Sequence, residues 1–396
     1  MIRNKHAILG MTFVSLGLLG ALLSAIGASL PALQKFFSAT IEQTALVTVI
    51  FQLSYSVFCF LGGFLTDFFG KSKVLIVGGI LYGTCTLLLG TIAAFDRTLL
   101  LFAISGIGGG LLFIGANTMI VQLFPENRGK YLNLLHLCFA IGSVAASLLV
   151  SAFISAGYGW SRVFEILGLV ALATGFFFVF APAGAPTEKF DGTTLKRLFN
   201  KYKLMLGNRL FLKLLVANTL AIGTQFGTIY LLVLFLNKTR GLPHSSASIV
   251  LATYFVLLGT GRIICSSLIS RYPITKIVTF LLVLLFTSLS LGWLTRGPVS
   301  ILFFTVTGLA SSGLMPSLLA LASHMLPKEV TGLALGIMSM FGGLGGMGIT
   351  KFVSWIANGV GLNTSFLALI FLSLTALIYF TAMKKKFAAV EGRAPR

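Results

Sequence analysis

Twelve apolar stretches, each long enough to cross a bilayer, follow one another along this 396-residue chain with hardly an acid among them. Ile8 to Pro31 and Leu99 to Phe124 are two of them. A hydrocarbon core about 30 Å thick needs a helix of roughly 20 apolar residues. Strands do not run so long, and a soluble core has no use for so many such runs. With no water in the membrane to bond the backbone, each stretch is expected to be an α-helix. The spans use nearly the whole length and leave no room for a catalytic domain outside the membrane.

Charge placement gives an orientation. Nine acids stand against 29 bases, a net charge of +20. In a soluble chain that excess would point to nucleic acid. Here the bases sit mostly between spans, which fits topology signals and anionic headgroups of the lipid bilayer, so no nucleic-acid partner is expected. One set of connections carries Arg3, Lys5, Lys71, Lys73, Arg128, Lys130, Arg271, Lys276, Lys328 and the Lys384-Lys385-Lys386 run; the opposite set has only Lys35, Arg97, Arg162, Lys238, Arg240 and Arg296. The bias predicts a multi-pass cell-membrane protein, an inner-membrane protein in bacterial terms, with both termini cytoplasmic. The N-terminus mimics a signal peptide, but its apolar run is too long, and it reads as an uncleaved first helix. Cys59, Cys85, Cys138 and Cys265 each lie inside an apolar run without a C-x-x-C pair, so they read as core residues, with neither metal nor disulfide expected.

The expected spans are Ala7–Leu33, Glu42–Phe69, Val74–Ala94, Thr98–Phe124, Gly129–Gly157 and Ser161–Pro182, then Phe211–Asn237, Ser245–Ser270, Ile274–Leu294, Pro298–Leu326, Val330–Asn358 and Leu362–Met383. The polar stretch between the two sets is the one break in composition. It divides the chain into an N-terminal six-helix bundle over 1–183, a cytoplasmic central loop over 184–208, and a C-terminal six-helix bundle with a basic tail over 209–396. The halves echo each other: Gly106, Gly108, Gly109 and Gly110 in span four match Gly308, Ser311, Ser312 and Gly313 in span ten. Small residues of this kind let helix backbones approach closely. The expected fold is an all-α membrane protein of two pseudo-symmetric six-helix bundles, able to rock about a site between them.

Between spans two and three the chain reads Gly63-Phe64-Leu65-Thr66-Asp67-Phe68-Phe69-Gly70-Lys71-Ser72-Lys73. Gly63 permits close packing, Gly70 a tight turn, and the lysines stay at headgroup level. Asp67 is an acid at a helix end, costly unless it meets a base or the N-terminus of another helix. The spacing resembles the signature loop of the major facilitator superfamily, and the six-plus-six pattern extends that resemblance over the whole chain. A degenerate copy is expected between spans eight and nine, where Gly259, Gly261, Arg262 and Arg271 stand. More narrowly, Tyr131 to Gly142, Gly115-Ala116-Asn117, Gly261-Arg262 and Gly313-Leu314-Met315-Pro316 resemble the fucose/glucose–proton symporter group, which carries neutral sugars. The chain departs from that group where the symporters place their acids: Gly27 and Phe113 stand there.

The polar residues within the spans are the candidate substrate contacts. His136 reads as a sugar partner or proton carrier, against the alternative of a tie to a neighbouring carbonyl. Asn117 and Asn133 either bond substrate or join helices. Gln52, Gln225 and Tyr254 lie nearer mid-membrane, where amides bond hydroxyls and aromatic faces stack on rings. Lys351 is an intramembrane cation that either attracts an anionic substrate, pairs with Glu42 or Glu165, or extends to the interface. Gly63, Asp67, Gly70, Lys71, Lys73, Arg262 and Arg271 are the candidate gating residues.

Metal-ligand clusters, phosphate loops and nucleophile–base pairs are absent from the sequence, so neither enzyme activity nor a cofactor is expected. The sequence reads as a secondary transporter, expected to be monomeric, moving a small-molecule substrate by alternating access, with a proton as candidate coupling ion. A sugar or polyol leads. An organic anion held by Lys351, an exported amphipathic compound or lipid, and a non-transporting sensor are the rivals.

Overall fold

A computed structural model describes residues 5–39, 41–89, 91, 94–180, 196, 199–200, 202–203, 205–327 and 330–391. Most of the expected central loop, and the side chain of Glu42, lie outside the described residues. Thirteen helices run through the described residues: α1 (Lys5–Phe37), α2 (Ile41–Phe69), α3 (Lys71–Leu88), α4 (Phe95–Leu123), α5 (Arg128–Ser155), α6 (Ser161–Phe180), α7 (Arg209–Arg240), α8 (His244–Ile269), α9 (Ile274–Leu294), α10 (Gly297–Ser311), α11 (Leu314–Met325), α12 (Thr331–Val360) and α13 (Leu362–Glu391). They supply twelve membrane-length apolar spans, α10 and α11 together making one.

That broken span departs from the sequence expectation of one helix over Pro298–Leu326. Pro316 is the physical cause. It has no N–H, and its ring would crowd the carbonyl four residues back, at Ser312. The helix stops at Ser311 and restarts at Leu314. The freed Ser312 carbonyl accepts a hydrogen bond from Arg262 Nε at 3.4 Å. Elsewhere local chemistry lengthens a span: Asn208 Oδ1 accepts from the N–H groups of Leu210 (2.9 Å) and Phe211 (3.2 Å), starting α7 two residues before the apolar run.

The chain forms two compact units. The first comprises Met1–Pro125, Leu135–Tyr202 and Lys328–Ile337; the second comprises Glu126–Leu134, Lys203–Pro327 and Met338–Arg396. In the first, α4 packs against α1, α2 and α3, and α6 against α1 and α3. In the second, α10 packs against α8 and α9, α13 against α7 and α9, and α11 against α7. The same neighbour pattern therefore occurs twice. One close joint is made the same way in both units. A Cβ on Gly110 of α4 would strike the Tyr55 carbonyl of α2, and one on Gly308 of α10 would strike the Tyr254 carbonyl of α8. The glycines are there because the backbones touch.

Aromatic side chains fill what remains. In the first unit the Tyr82 hydroxyl donates to the Leu18 carbonyl at 2.6 Å, tying α3 to α1. In the second, the rings of Phe235, Phe304 and Phe366 meet at centroid distances of 4.1 to 5.6 Å, joining α7, α10 and α13.

Candidate functional site

The signature loop closes on a helix end. Gly70 begins α3 with φ 91°, a left-handed conformation that a side chain would strain. The turn leaves Asp67 on the last turn of α2. Its carboxylate accepts from the backbone N–H groups of Gly332 (2.7 Å) and Leu333 (2.8 Å), in the first turn of α12. These donors have no partner within their own helix, and the dipole there favours an anion. Gly63 makes the approach feasible, because a Cβ on it would collide with the Gly332 carbonyl. Lys71 is half-buried and interacts electrostatically with Asp67; Lys73 is exposed. Tyr202 packs on Phe64 of the same loop, with ring centroids 5.8 Å apart. Burial first, and the Asp67 charge second, raise its phenol above the ordinary value. Its hydroxyl is enclosed without a hydrogen-bond partner.

The second copy of the motif is built differently. Arg262 is buried and bonded to the Ser312 carbonyl at the break between α10 and α11. Arg271 is exposed, beyond the end of α8. Tyr254, two turns before Arg262, is fully buried, and its hydroxyl interacts with the neighbouring Ser311 hydroxyl.

Asn117 and His136 come together in the first unit. Both are buried, and His136 Nε2 stands 3.2 Å from Asn117 Oδ1. The Asn117 amide nitrogen donates to the Phe113 carbonyl at 2.8 Å, so its oxygen must be the atom facing the imidazole. His136 therefore donates from Nε2. The Phe113 ring lies edge-on to His136, centroids 5.7 Å apart, and Tyr55 is edge-on to Phe113 at the same spacing. The result is a strip of aromatic rings ending in a buried hydrogen-bonded pair.

Other candidates stand apart. Asn133 turns its amide nitrogen back to the Gly129 carbonyl of its own helix at 2.9 Å, and its oxygen is enclosed without a partner. Gln52 and Gln225 are half-buried and hydrogen-bond to no described residue. Lys351 is exposed. The suggested pair with Glu165 does not form: Glu165 is held by Arg162 at 2.7 Å, one helical turn away. Pairing with Glu42 falls outside the described residues.

Sequence reasoning missed three anchors. Arg128 donates to the Ser323 carbonyl (2.6 Å) and hydroxyl (3.1 Å) at the end of α11. Glu391 accepts from Ile274 N–H and from Thr275 N–H (3.2 Å) and Oγ1 (3.0 Å), capping α9. Asn218 of α7 donates to the Met338 carbonyl of α12 at 2.8 Å. By sequence Arg128 counts among the topology charges, and Glu391 falls in the basic tail. Nothing local marks the long-range partner of any of the three.

Comparison with known proteins agrees with this architecture. The E. coli fucose:proton symporter superimposes with a TM-score of 0.81 over 96% of this chain and 99% of that one, at 18% identity. A proton:xylose symporter superimposes with a TM-score of 0.74 over 96% of this chain and 95% of that one, at 16% identity. These likenesses show the fold. The probable sulfoacetate transporter of Cupriavidus necator is 27% identical over 198 residues, half of this chain and 46% of that protein. The chain thus spans less than half the length of the curated relative it matches there. Residues 12–347 match the model of the Major Facilitator Superfamily, and with twelve membrane-length spans on the same fold, the chain belongs to that family of membrane transporters.

Proposed function

We propose that this chain is a secondary transporter that carries a small neutral polar solute, a sugar or polyol, across the membrane by alternating access. The observation that carries the reading is the Asn117–His136 pair beside Phe113 and Tyr55. It sets an amide and an imidazole next to aromatic rings, a combination that suits hydroxyl-bearing rings. The adjoining hydroxyls of Tyr254 and Ser311 add a second neutral contact. The fold shared with sugar symporters supports the same class.

In this reading Asp67 and Gly63 hold α12 in one of the two states, and Arg262 stabilises the broken span. His136 is the candidate proton carrier. The chain works as a monomer with both termini in the cytoplasm. A second reading, an organic anion, draws on the exposed Lys351 and on the match to a probable sulfoacetate transporter.

The test is a thermal-shift screen of the purified chain against sugars, polyols and organic acids, followed by flux into proteoliposomes. A ligand that binds the folded state alone raises its melting temperature. Stabilisation by a sugar or polyol that His136→Ala abolishes supports the first reading. Stabilisation by organic acids alone, lost in Lys351→Gln, replaces it with the second. Binding without flux overturns transport.

A further inference from the structure

A cavity in the second unit is lined by none of the candidate substrate or gating residues. Its volume is about 490 Å³, and it opens where α7 and α9 end and where α10 and α13 begin. Because these are all ends of membrane-length spans, the cavity sits at headgroup depth. Its polar lining is Arg240, Arg296, Trp293, Thr239, Ser300 and Asn363, and no lining residue is acidic.

The donors outnumber the acceptors. Arg240 lies over the Phe235 ring at 5.2 Å and donates through one terminal nitrogen to the Trp293 carbonyl. That bond caps the last turn of α9 and uses one of its five donors. Its Nε–H is buried with no hydrogen-bond partner, and so is the indole N–H of Trp293. Neither group can accept. Arg296 is exposed and bonds to no described residue. It precedes α10, a 15-residue helix whose N-terminus has no side-chain cap. Ser300, within the helix, donates its hydroxyl to the Gly292 carbonyl at 2.6 Å.

Two guanidinium groups that share a cavity without a carboxylate repel each other. Two enclosed N–H groups lack acceptors. An uncapped helix N-terminus points the same way. A single acceptor-only anion answers all three, and guanidinium forks match phosphate geometry. Leu236, Leu242 and Ile301 line the apolar side. We propose that this cavity is a binding site for a phosphate-class oxyanion, separate from the solute path, held by Arg240, Arg296 and the Trp293 indole. The oxyanion arrives either on a lipid headgroup or free in solution.

Trp293 makes the site readable. The chain has three tryptophans, so Trp160→Phe and Trp355→Phe together leave Trp293 as the sole reporter. The full chain in phosphatidylcholine nanodiscs is titrated with phosphatidylglycerol in one arm and with inorganic phosphate in the other. A saturable change in Trp293 emission is expected, with a rise in melting temperature. Response to phosphatidylglycerol alone assigns the headgroup; response to phosphate assigns the free anion. Arg296→Gln should weaken the response by about tenfold or more, the size of one charge-assisted hydrogen bond. Arg296 caps nothing, so this variant is expected to fold. Absence of a saturable response in both arms overturns the proposal, as does a response equal in wild type and Arg296→Gln. Neither readout depends on the transported solute, so failure here and failure of the solute screen are separable.

Discussion

Removing the Asp67 charge should loosen the first turn of α12 and leave the rest of the first unit folded. The carboxylate holds Gly332 and Leu333 N–H at 2.7 and 2.8 Å. Hydrogen bonds to a charged group contribute about 1.5–3 kcal/mol each. A charge at a helix N-terminus adds about 0.3–1 kcal/mol, more where partly buried. Asp67→Asn keeps one acceptor oxygen and loses the charge and the second acceptor, so about 2 kcal/mol should be lost locally. That corresponds to a roughly thirtyfold rise in the opening equilibrium of this turn. Hydrogen exchange followed by mass spectrometry on a peptide spanning 331–337 reads it directly. Asp67→Asn should exchange faster there, and Asp67→Ala faster still. Transport should slow while ligand preference stays the same, because no solute contact is touched. Unchanged exchange in a folded Asp67→Ala protein would refute the capping argument. Loss of ligand binding with intact switching would refute the role in the transport cycle.

Four further outcomes follow from the same geometry. Tyr202→Phe removes an enclosed hydroxyl without a partner, so the melting temperature should hold or rise; a clear fall would mean that the hydroxyl is bonded. His136→Ala strands the Asn117 oxygen in a fully buried position and should cost about 1–3 kcal/mol in denaturant unfolding, with Asn117→Ala in the same background recovering part of it. Glu391→Gln takes the charge from the α9 cap and should lower the melting temperature, whereas Lys385→Gln on the same tail should not. Reporters fused within 184–208 and after Arg396 should be active in the cytosol; an outward-facing C-terminus would end the proposed orientation.

The span count, the all-helical class and the family were legible without a structure, because they depend on properties that sum along the chain. Twenty apolar residues in a row have one stable backbone solution in lipid, and bases sort to one side whatever the helices do inside. The glycines of span four and the motif ending in Gly70 were equally legible, since small residues and left-handed turns carry local chemical signatures. Even the break in span ten was written in Pro316, though its consequence depends on a partner 50 residues earlier, Arg262.

Partners across the fold could not be read in this way. Asp67 was visibly an acid needing compensation, but only packing decided that the N-terminus of α12 would supply it. Glu391 and Arg128 looked like ordinary surface charges until α9 and α11 were placed beside them. Asn117 and Asn133 are the same residue type on adjacent spans, and sequence left both open between substrate and helix contact. In the structure one meets His136 and the other turns back on its own helix. Hydropathy and charge are one-dimensional, so sequence alone could place these residues in the membrane. A hydrogen bond needs two atoms within about 3 Å, and for residues 19 to 266 positions apart only the tertiary fold decides which atoms those are.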